Sequence, residues 1–223
     1  MTEPRIIPLF PLGVTLLPKM RLPLHIFEER YKQMVAHCLR TQMPFGIVLF
    51  DGRAIRSVGC MATIRKVIER YDDGRMDILT QGGERFVVQR LIEEKLFLQA
   101  EVSFFDDQPE VPADDLQAVT IKAWELLREV ADADLGIEAQ ELEKSIPPSQ
   151  LSFAIASLEG FSPAERQGFL EMTSPSERLR KSVQALASMV TRNRLTAEIQ
   201  RVIGGNGQPP QRILDGLQES PPK

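Results

Sequence analysis

The chain has 223 residues, of which 43% are hydrophobic and 26% are charged, and its formal net charge is −4. A chain of this length forms one large domain or two smaller ones, and its acidic balance excludes an overall attraction to nucleic acid or to an anionic membrane. No apolar run approaches the roughly 18 residues that a membrane span needs, and the first residues lack the pattern of a signal peptide. We expect a cytoplasmic protein whose two cysteines, Cys38 and Cys60, are buried thiols.

The first part of the chain alternates apolar runs with prolines and then becomes helical. Residues 6–10 and 22–27 are short apolar runs bounded by Pro or Gly, which is typical of strands near sheet edges or bends. Four prolines between positions 8 and 23 exclude a helix there, because each removes a backbone donor. A helix is predicted from residue 28, since apolar residues then recur at three- and four-residue steps. Its buried stripe comprises Phe27, Tyr31, Met34, Val35, Cys38 and Leu39.

Strand-like runs follow this helix. They cover residues 45–50, 58–70, 75–80, 86–91 and 96–104. The first run is apolar throughout, as in a strand buried on both faces, and the last alternates strictly, as in a strand with one buried face. Asp73-Gly74, between the second and third runs, predicts a hairpin turn, and Gly82-Gly83 predicts a bend or bulge before the fourth.

An acidic stretch with prolines at residues 106–115 marks a domain boundary. We therefore predict a β-rich domain at 1–107, a helical bundle at 108–203 and a disordered tail at 204–223.

Several helix signals lie in the bundle. A first stripe comprises Leu116, Val119, Ala123, Leu127 and Val130, with Trp124 beside it. Ser149 is expected to cap the next helix. Ser162 and Ser174 are each predicted to start a helix, because proline follows at the first helical position and glutamate lies three residues after the cap.

Six segments of the β-rich part and one of the helical part carry a family resemblance. In chain order they read IPLFPLG, LPLHIFEERY, FGIVLF, VGCMATIRKV, QGGERF and LFLQAEV, followed by LSFAIASLEGFSPAERQGFLEMTSPSERL. Their order and spacing resemble the N-terminal substrate-binding domain of the Lon protease family, and PLHIFEERY is similar to its stand-alone members. The resemblance covers about residues 5–190. It implies an α+β fold, in which a β-rich PUA-like pseudo-barrel with one packed helix precedes a small helical bundle.

The same resemblance implies a non-enzymatic module that binds unfolded or degron-bearing polypeptides. Such a module is expected to act in protein quality control as an adaptor, a holdase or a regulator, with a protease or a chaperone as partner and without a cofactor. The sequence contains no Gly-x-x-x-x-Gly-Lys-Ser/Thr phosphate loop and no Gly-x-Ser-x-Gly elbow, so we expect neither ATPase nor protease activity. Its two histidines and two cysteines lack the paired spacing of a structural zinc site.

Two alternative functions are open. One is RNA binding, because PUA-like barrels also occur in RNA-binding proteins, although a pI of about 5.4 argues against it. The other is a hydrolase of unrecognised type, although no nucleophile–base pair is evident in the sequence.

Six residues are the candidate contacts of a polypeptide or partner, namely Arg85, Phe97, Phe105, Leu195, Ile199 and Val202. Arg85 is interpreted either as a recognition residue for acidic groups or as an arginine that bonds local carbonyls around the glycine bend. Phe97 and Phe105 lie on the strand face opposite Leu98 and Phe104. They therefore either cover the helical part or form an exposed patch.

The last predicted helix, residues 175–203, has two apolar stripes. Leu179, Val183, Leu186 and Val190 share one narrow face, which should pack on the other helices. Leu195, Ile199 and Val202 form a second stripe, rotated by roughly 160° from the first. Either the helix breaks near residues 191–193 and folds back onto the β-rich part, or the second stripe contacts another chain, which allows a homo-oligomer.

Overall fold

The computed structural model describes residues 4–109, 116–134 and 146–204. Its strands are β1 (Arg5–Leu12), β2 (Arg21–Ile26), β3 (Phe45–Phe50), β4 (Ile55–Arg70), β5 (Met76–Ile92) and β6 (Gln99–Phe105). Its helices are α1 (Glu29–Thr41), α2 (Leu116–Asp134), α3 (Pro148–Ala156), α4 (Pro163–Glu171) and α5 (Pro175–Gly204). This content confirms the predicted α+β class. No helix within the described ranges is long and apolar enough to cross a membrane.

The strands form one mixed sheet that closes on itself. Their order is β2-β5-β4-β3-β1-β6, with an additional pairing between β5 and β6. The long strand β5 makes this closure possible, because its first half pairs with β2 and its second half pairs with β6. The closure confirms the expected pseudo-barrel. Strand β2 lies outside the closed part, and no other strand of the described residues pairs with its second edge.

Gly82 lies where β5 passes from one partner to the other, at the predicted bend. Its N–H donates to the carbonyl of Met20 over 2.9 Å, and its carbonyl accepts from the N–H of Lys19 over 2.9 Å. A Cβ atom at this position would overlap the backbone carbonyl of Leu17. Glycine is therefore required here by the close approach of two backbones, and the sheet register shifts nearby, between Cys60 and Ala62.

Helix α1 covers one face of the sheet, as its periodicity predicted. Tyr31, Met34, Val35 and Cys38 are buried beneath it. Phe27, in contrast, is 59% exposed, so its placement on the buried stripe was wrong. The helix begins only at Glu29, and Phe27 remains in the extended chain, where its ring stacks at 5.9 Å on that of His25.

The last strand is shorter than its alternation predicted. Ala100 and Val102 are buried inside the barrel, but β6 begins only at Gln99. Leu96 lies in the preceding turn and is 71% exposed, so its assignment to the buried face of a strand was wrong.

The described helices of the second part pack around one apolar core. Ser162 forms the predicted capping box with Glu165, and the Ser174 hydroxyl accepts from the Glu177 N–H over 3.2 Å. The predicted cap at Ser149 was wrong, because α3 begins at Pro148 and its cap position is Pro147.

Helix α5 is a single helix of 30 residues, so the predicted break that would let its end fold back onto the β-rich part was wrong. Neither proline nor glycine occurs at residues 191–193, and the helical backbone continues. The expected packing face is confirmed, since Leu179, Val183, Leu186 and Val190 are all buried. The tail predicted at 204–223 lies outside the described residues apart from Gly204, and the proposed domain boundary stays a prediction.

Candidate functional site

Two arginines and an aspartate join the barrel to the helices. Arg85 of β5 and Arg178 of α5 are almost fully buried, with side-chain exposures of 4% and 0%. The carboxylate of Asp107, just after β6, lies between them. It accepts from Arg85 Nη2 over 2.5 Å and from Arg178 Nη1 and Nη2 over 2.7 Å each. We call these three residues the junction network. Charge-assisted bonds of this kind hold their partners in a defined orientation.

The remaining donors of the junction network bind the helical part. Arg85 Nη1 donates to the carbonyls of Leu170 and Met172 over 3.2 and 2.6 Å. Arg178 donates to the hydroxyl of Ser152 over 2.8 Å. The interpretation that Arg85 bonds local carbonyls around the glycine bend was therefore wrong, because the carbonyls it bonds lie at the C-terminal end of α4, more than 80 residues along the chain.

Electrostatics favours the ionised form of the buried carboxylate. Burial by itself raises the pKa of Asp107, but the hydrogen bonds and charges of Arg178 and Arg85 outweigh it and hold the pKa below its usual value. The network thus contains two cations and one anion at neutral pH, with every charged group bonded. Its directional bonds fix strand β5 against the connection between α4 and α5.

A cleft of about 790 Å³ opens beside the junction network, between the barrel and α3. Its lining consists of Pro18, Lys19, Gly83, Glu84, Arg85, Phe104, Phe105, Asp106, Asp107, Gln150 and Phe153. The ring of Phe105 lies 4.7 Å from the guanidinium of Arg85. Aromatic walls combined with charges of both signs suit the side chains of a polypeptide.

The two predicted aromatic contacts differ in their exposure. Phe105 is half-buried in the wall of the cleft, where a ligand can reach it. Phe97 is buried, 5.9 Å from the ring of His37 on α1, and offers no surface to a partner. Arg85 lines the cleft, but its guanidinium is occupied by Asp107 and by carbonyls.

A second groove, of about 550 Å³, lies between β1, α1 and the turn before β6. The exposed side chains of Phe50 and Leu96 contribute to it, together with Arg30 and Lys95. Sequence reasoning missed this groove, because the alternating pattern had assigned Leu96 to a buried strand face.

The end of α5 carries the predicted second stripe on its surface. Leu195 and Ile199 are 57% and 48% exposed, whereas the side chain of Val202 lies outside the described residues. Arg194 forms an ion pair of 2.5 Å with Glu129 of α2. The helix therefore runs alongside α2 with these two apolar side chains facing outward.

His25 belongs to a cluster on the outer face of the sheet. Its Nδ1 lies 2.6 Å from Asp77 Oδ1, and the hydroxyl of Tyr71 donates to Asp77 Oδ2 over 2.7 Å. The bond to His25, followed by that to Tyr71, holds the pKa of Asp77 below its usual value. His25 is thus a hydrogen-bonded residue of strand β2. Its partner lies 52 residues away, and no signal in the sequence links the two.

The two cysteines are free and buried, as predicted. Burial raises the pKa of the Cys38 thiol to about 11 and, despite the opposing effects of a Gly83 contact and Arg85, that of Cys60 to about 12. Because the thiolate is the reactive form, neither residue is a nucleophile at neutral pH.

A family comparison agrees with this architecture. The family described as the ATP-dependent protease La (LON) substrate-binding domain matches residues 6–188. The chain belongs to this family. The resemblance found in the sequence is thereby confirmed over most of the chain.

The curated relatives of this LON substrate-binding domain chain are longer proteins. It is 28% identical over 200 residues to a Lon protease of Paraburkholderia phytofirmans and 25% identical over 221 residues to one of Anaeromyxobacter dehalogenans. These alignments include 84% and 94% of this chain but only 24% and 26% of the relatives. The chain thus spans about a quarter of the length of the curated relatives it matches.

Two solved structures share the fold. A Lon N-terminal domain protein from Xanthomonas campestris aligns with a TM-score of 0.62 and 25% identity, over 79% of this chain and 96% of that one. The N-terminal domain of a Mycobacterium avium complex Lon protease aligns with a TM-score of 0.66 and 20% identity, over 82% and 98%. Because the second structure is only 20% identical to this chain, its likeness shows the fold alone.

Proposed function

We propose that this chain is a non-enzymatic module that binds extended polypeptide segments and serves protein quality control as an adaptor or regulator. The observation that carries the proposal is the cleft of about 790 Å³ between the barrel and α3, in a chain of a substrate-binding family. Its volume lies within the range of roughly 300–1,000 Å³ that is usual for ligand sites. Phe104, Phe105 and Phe153 supply apolar surface, and Lys19 and Glu84 supply charges of both signs.

The junction network supports this proposal because it makes the cleft rigid. Arg85 and Asp107 line the cleft and are at the same time bonded to the helical part. A site whose walls are already held in place loses less conformational entropy when a flexible chain binds.

Several features of the chain support a non-enzymatic role. The matched region of the family is a substrate-binding domain, and the sequence has no phosphate-loop motif. Both thiols are buried with raised pKa values, and His25 is bonded to Asp77 on the surface, away from the cleft lining. Free buried thiols also suit a reducing compartment, and we place the protein in the cytoplasm.

Binding of an unfolded client tests the proposal. The client is lactalbumin that has been reduced, carboxymethylated and fluorescently labelled. Its fluorescence anisotropy should rise on titration with the chain, whereas that of labelled native lactalbumin should not. Phe105→Ser should weaken this binding by at least about tenfold, since it removes an aromatic contact worth about 1.4 kcal/mol or more. Leu96→Ser, in the second groove, is the matched control and should bind as the unmodified chain does. Absence of binding, or an equal loss in both variants, contradicts the proposal.

The homo-oligomer expected through the C-terminal helix stays a prediction. Exposed Leu195 and Ile199 are the side chains that a second copy would cover. Sedimentation over a concentration series should show self-association of the unmodified chain, and its loss in the Leu195→Glu, Ile199→Glu double variant. A chain that is monomeric at high concentration refutes the prediction.

A further inference from the structure

Strand β2 has a free backbone edge, and the position of a proline shows which residues direct their N–H and C=O groups to that edge. Pro23 lies opposite Leu79 within the continuous β2–β5 register. Because proline has no N–H, its side of the backbone must face away from the ladder. In an antiparallel pair, alternate residues point their N–H and C=O groups to opposite edges. Arg21, Pro23 and His25 therefore direct their backbone groups to the free edge.

Hydrogen bonds on the other side of β2 agree with this assignment. The hydroxyl of Thr80 in β5 donates to the carbonyl of Leu22 over 2.8 Å. Just before the strand, the carbonyl of Met20 accepts from the N–H of Gly82 over 2.9 Å. Even-numbered residues thus face β5. The free edge offers the N–H groups of Arg21 and His25 and the carbonyls of Arg21, Pro23 and His25, a pattern that can accept an added strand.

Exposed cations accompany this edge. Lys19, Arg21, Arg65 and Lys66 are all exposed, and none of them forms an ion pair with a carboxylate of the described residues. Arg21 lies opposite Gln81, and Arg65 Nε donates to Gln81 Oε1 over 2.8 Å. Lys66 is paired with Leu79, which is also the partner of Pro23. Three of these cations lie on the outer face of the sheet, opposite the core, with Arg21 on β2 and Arg65 and Lys66 on β4. Lys19 lies two residues before β2, and we call the four cations the basic strip.

We propose that an extended polypeptide segment with acidic side chains at alternate positions binds as an added strand to the free edge of β2. Its backbone pairs with Arg21, Pro23 and His25, and its carboxylates face the basic strip, since side chains two residues apart share one face of a strand. This inference rests on the proposed polypeptide-binding function and specifies the chemical class of the segment.

The strip and the cleft are continuous. Lys19 belongs to the basic strip and also lines the cleft, together with Pro18. A segment that follows β2 toward its N-terminal end therefore reaches the cleft without leaving the protein surface.

A polypeptide suits this surface better than a nucleic acid. Further along the outer face, Asp77 and Glu69 lie side by side across β5 and β4, and both would repel a continuing phosphate backbone. A peptide segment can avoid this repulsion, because only its first residues need to carry acidic side chains. The unpaired backbone groups of β2 also match a peptide, whereas a sugar–phosphate chain cannot continue the ladder.

The charge requirement is tested with short labelled peptides. The probe is a nine-residue peptide in which valine alternates with glutamate, and its counterpart carries lysine in place of glutamate. The unmodified chain should bind the glutamate peptide, with an affinity that falls as salt is raised. The Arg21→Glu, Arg65→Glu double variant should bind it about tenfold more weakly. The matched control, Arg40→Glu with Arg53→Glu, reverses two other exposed arginines that form no ion pair with a carboxylate of the described residues, and binding should be unchanged.

The backbone requirement is tested separately. His25→Pro removes an N–H from the free edge and leaves the backbone hydrogen bonds to β5 intact, although it loses the side-chain bond to Asp77. The lost N–H should weaken binding of the glutamate peptide by about fivefold, the effect of one hydrogen bond. His25→Ala loses the same side chain and the same bond to Asp77 but keeps the N–H, so it should bind the peptide about fivefold more tightly than His25→Pro does. Equal binding by the two variants overturns strand addition.

The outcomes separate this inference from the proposed function. If unfolded lactalbumin binds but neither the double reversal nor His25→Pro changes peptide binding, the edge site is overturned and the cleft proposal stands. If no polypeptide binds at all, both fail. If a single-stranded oligonucleotide binds more tightly than the glutamate peptide and loses affinity in the same double reversal, the surface is a nucleic-acid site and the polypeptide inference is overturned.

Discussion

Asparagine at position 107 is a direct test of the junction network. Asp107→Asn keeps the shape of the side chain but removes the carboxylate charge that the buried guanidiniums of Arg85 and Arg178 share. Removing one partner of a buried ion pair costs about 3–5 kcal/mol. We expect the lower end, about 3 kcal/mol, because both arginines keep acceptors in the carbonyl of Met172. For a chain of this size, such a loss lowers the melting temperature by about 6–12 °C.

The assay uses the single tryptophan of the chain. Trp124 is buried in α2 and reports on unfolding of the helical part in urea, while circular dichroism reports on the whole chain. The neighbouring change Asp106→Asn is the matched control, because that side chain is fully exposed and lies 3.9 Å from Arg85. It should unfold like the unmodified protein. If Asp107→Asn and Asp106→Asn have the same unfolding free energy, the network does not stabilise the junction.

The difference in unfolding free energy between the unmodified chain and Asp107→Asn should also depend on pH. The pKa of Asp107 is lower in the folded chain than the roughly 3.9 of an unfolded aspartate. A depressed pKa contributes stability above the unfolded value, and that contribution is lost as the pH falls through the folded value. The difference between the unmodified chain and Asp107→Asn should therefore be full at pH 7 and should narrow below about pH 4. A difference that stays constant down to pH 3 contradicts an electrostatic origin.

Three further predictions concern packing and reactivity. Gly82→Ala should lower the free energy of urea unfolding by about 3 kcal/mol, because its Cβ overlaps the Leu17 carbonyl. Gly83→Ala should be tolerated, since the atom nearest to its Cβ lies 3.6 Å away, and equal losses in the two variants would contradict this reasoning. Val35→Asp should prevent folding, as judged by circular dichroism, because it buries an unpaired charge, whereas Ala36→Asp on the exposed side of α1 should fold normally. Both cysteine thiols should be inert to Ellman's reagent at pH 8 in the native chain and reactive in denaturant, since burial raises their pKa values to about 11 and 12. Rapid labelling of the native chain would refute this prediction.

Much of the secondary structure was predictable from short segments of sequence. The stripe of α1, the apolar strand β3, the turn at Asp73-Gly74 and the serine caps at Ser162 and Ser174 all occur as expected. Each signal is contained within a few residues, because helix periodicity, turn conformation and capping depend on neighbours along the chain. The family resemblance added the barrel, which no local pattern implies.

The errors arose where a local pattern competed with its surroundings. Alternation continued through Leu96, yet β6 starts later, because pairing with β1 and with β5 begins at Gln99. The rotated stripe at the end of α5 suggested a break, but the helix continues past it with Leu195 and Ile199 exposed. A pattern of apolar residues indicates which side chains share a face, and it does not indicate whether anything covers that face.

The sequence by itself determined the family, the order of the elements and most of their buried faces. Only the tertiary structure decided what Arg85 does, because its partner Asp107 lies 22 residues away, and Arg178, which shares that carboxylate, lies a further 71 residues along the chain. It also decided that β2 keeps a free edge, since β5 is long enough to pair with both β2 and β6. These features depend on contacts between distant segments, and a buried charge or an open strand edge has no signature in the residues beside it.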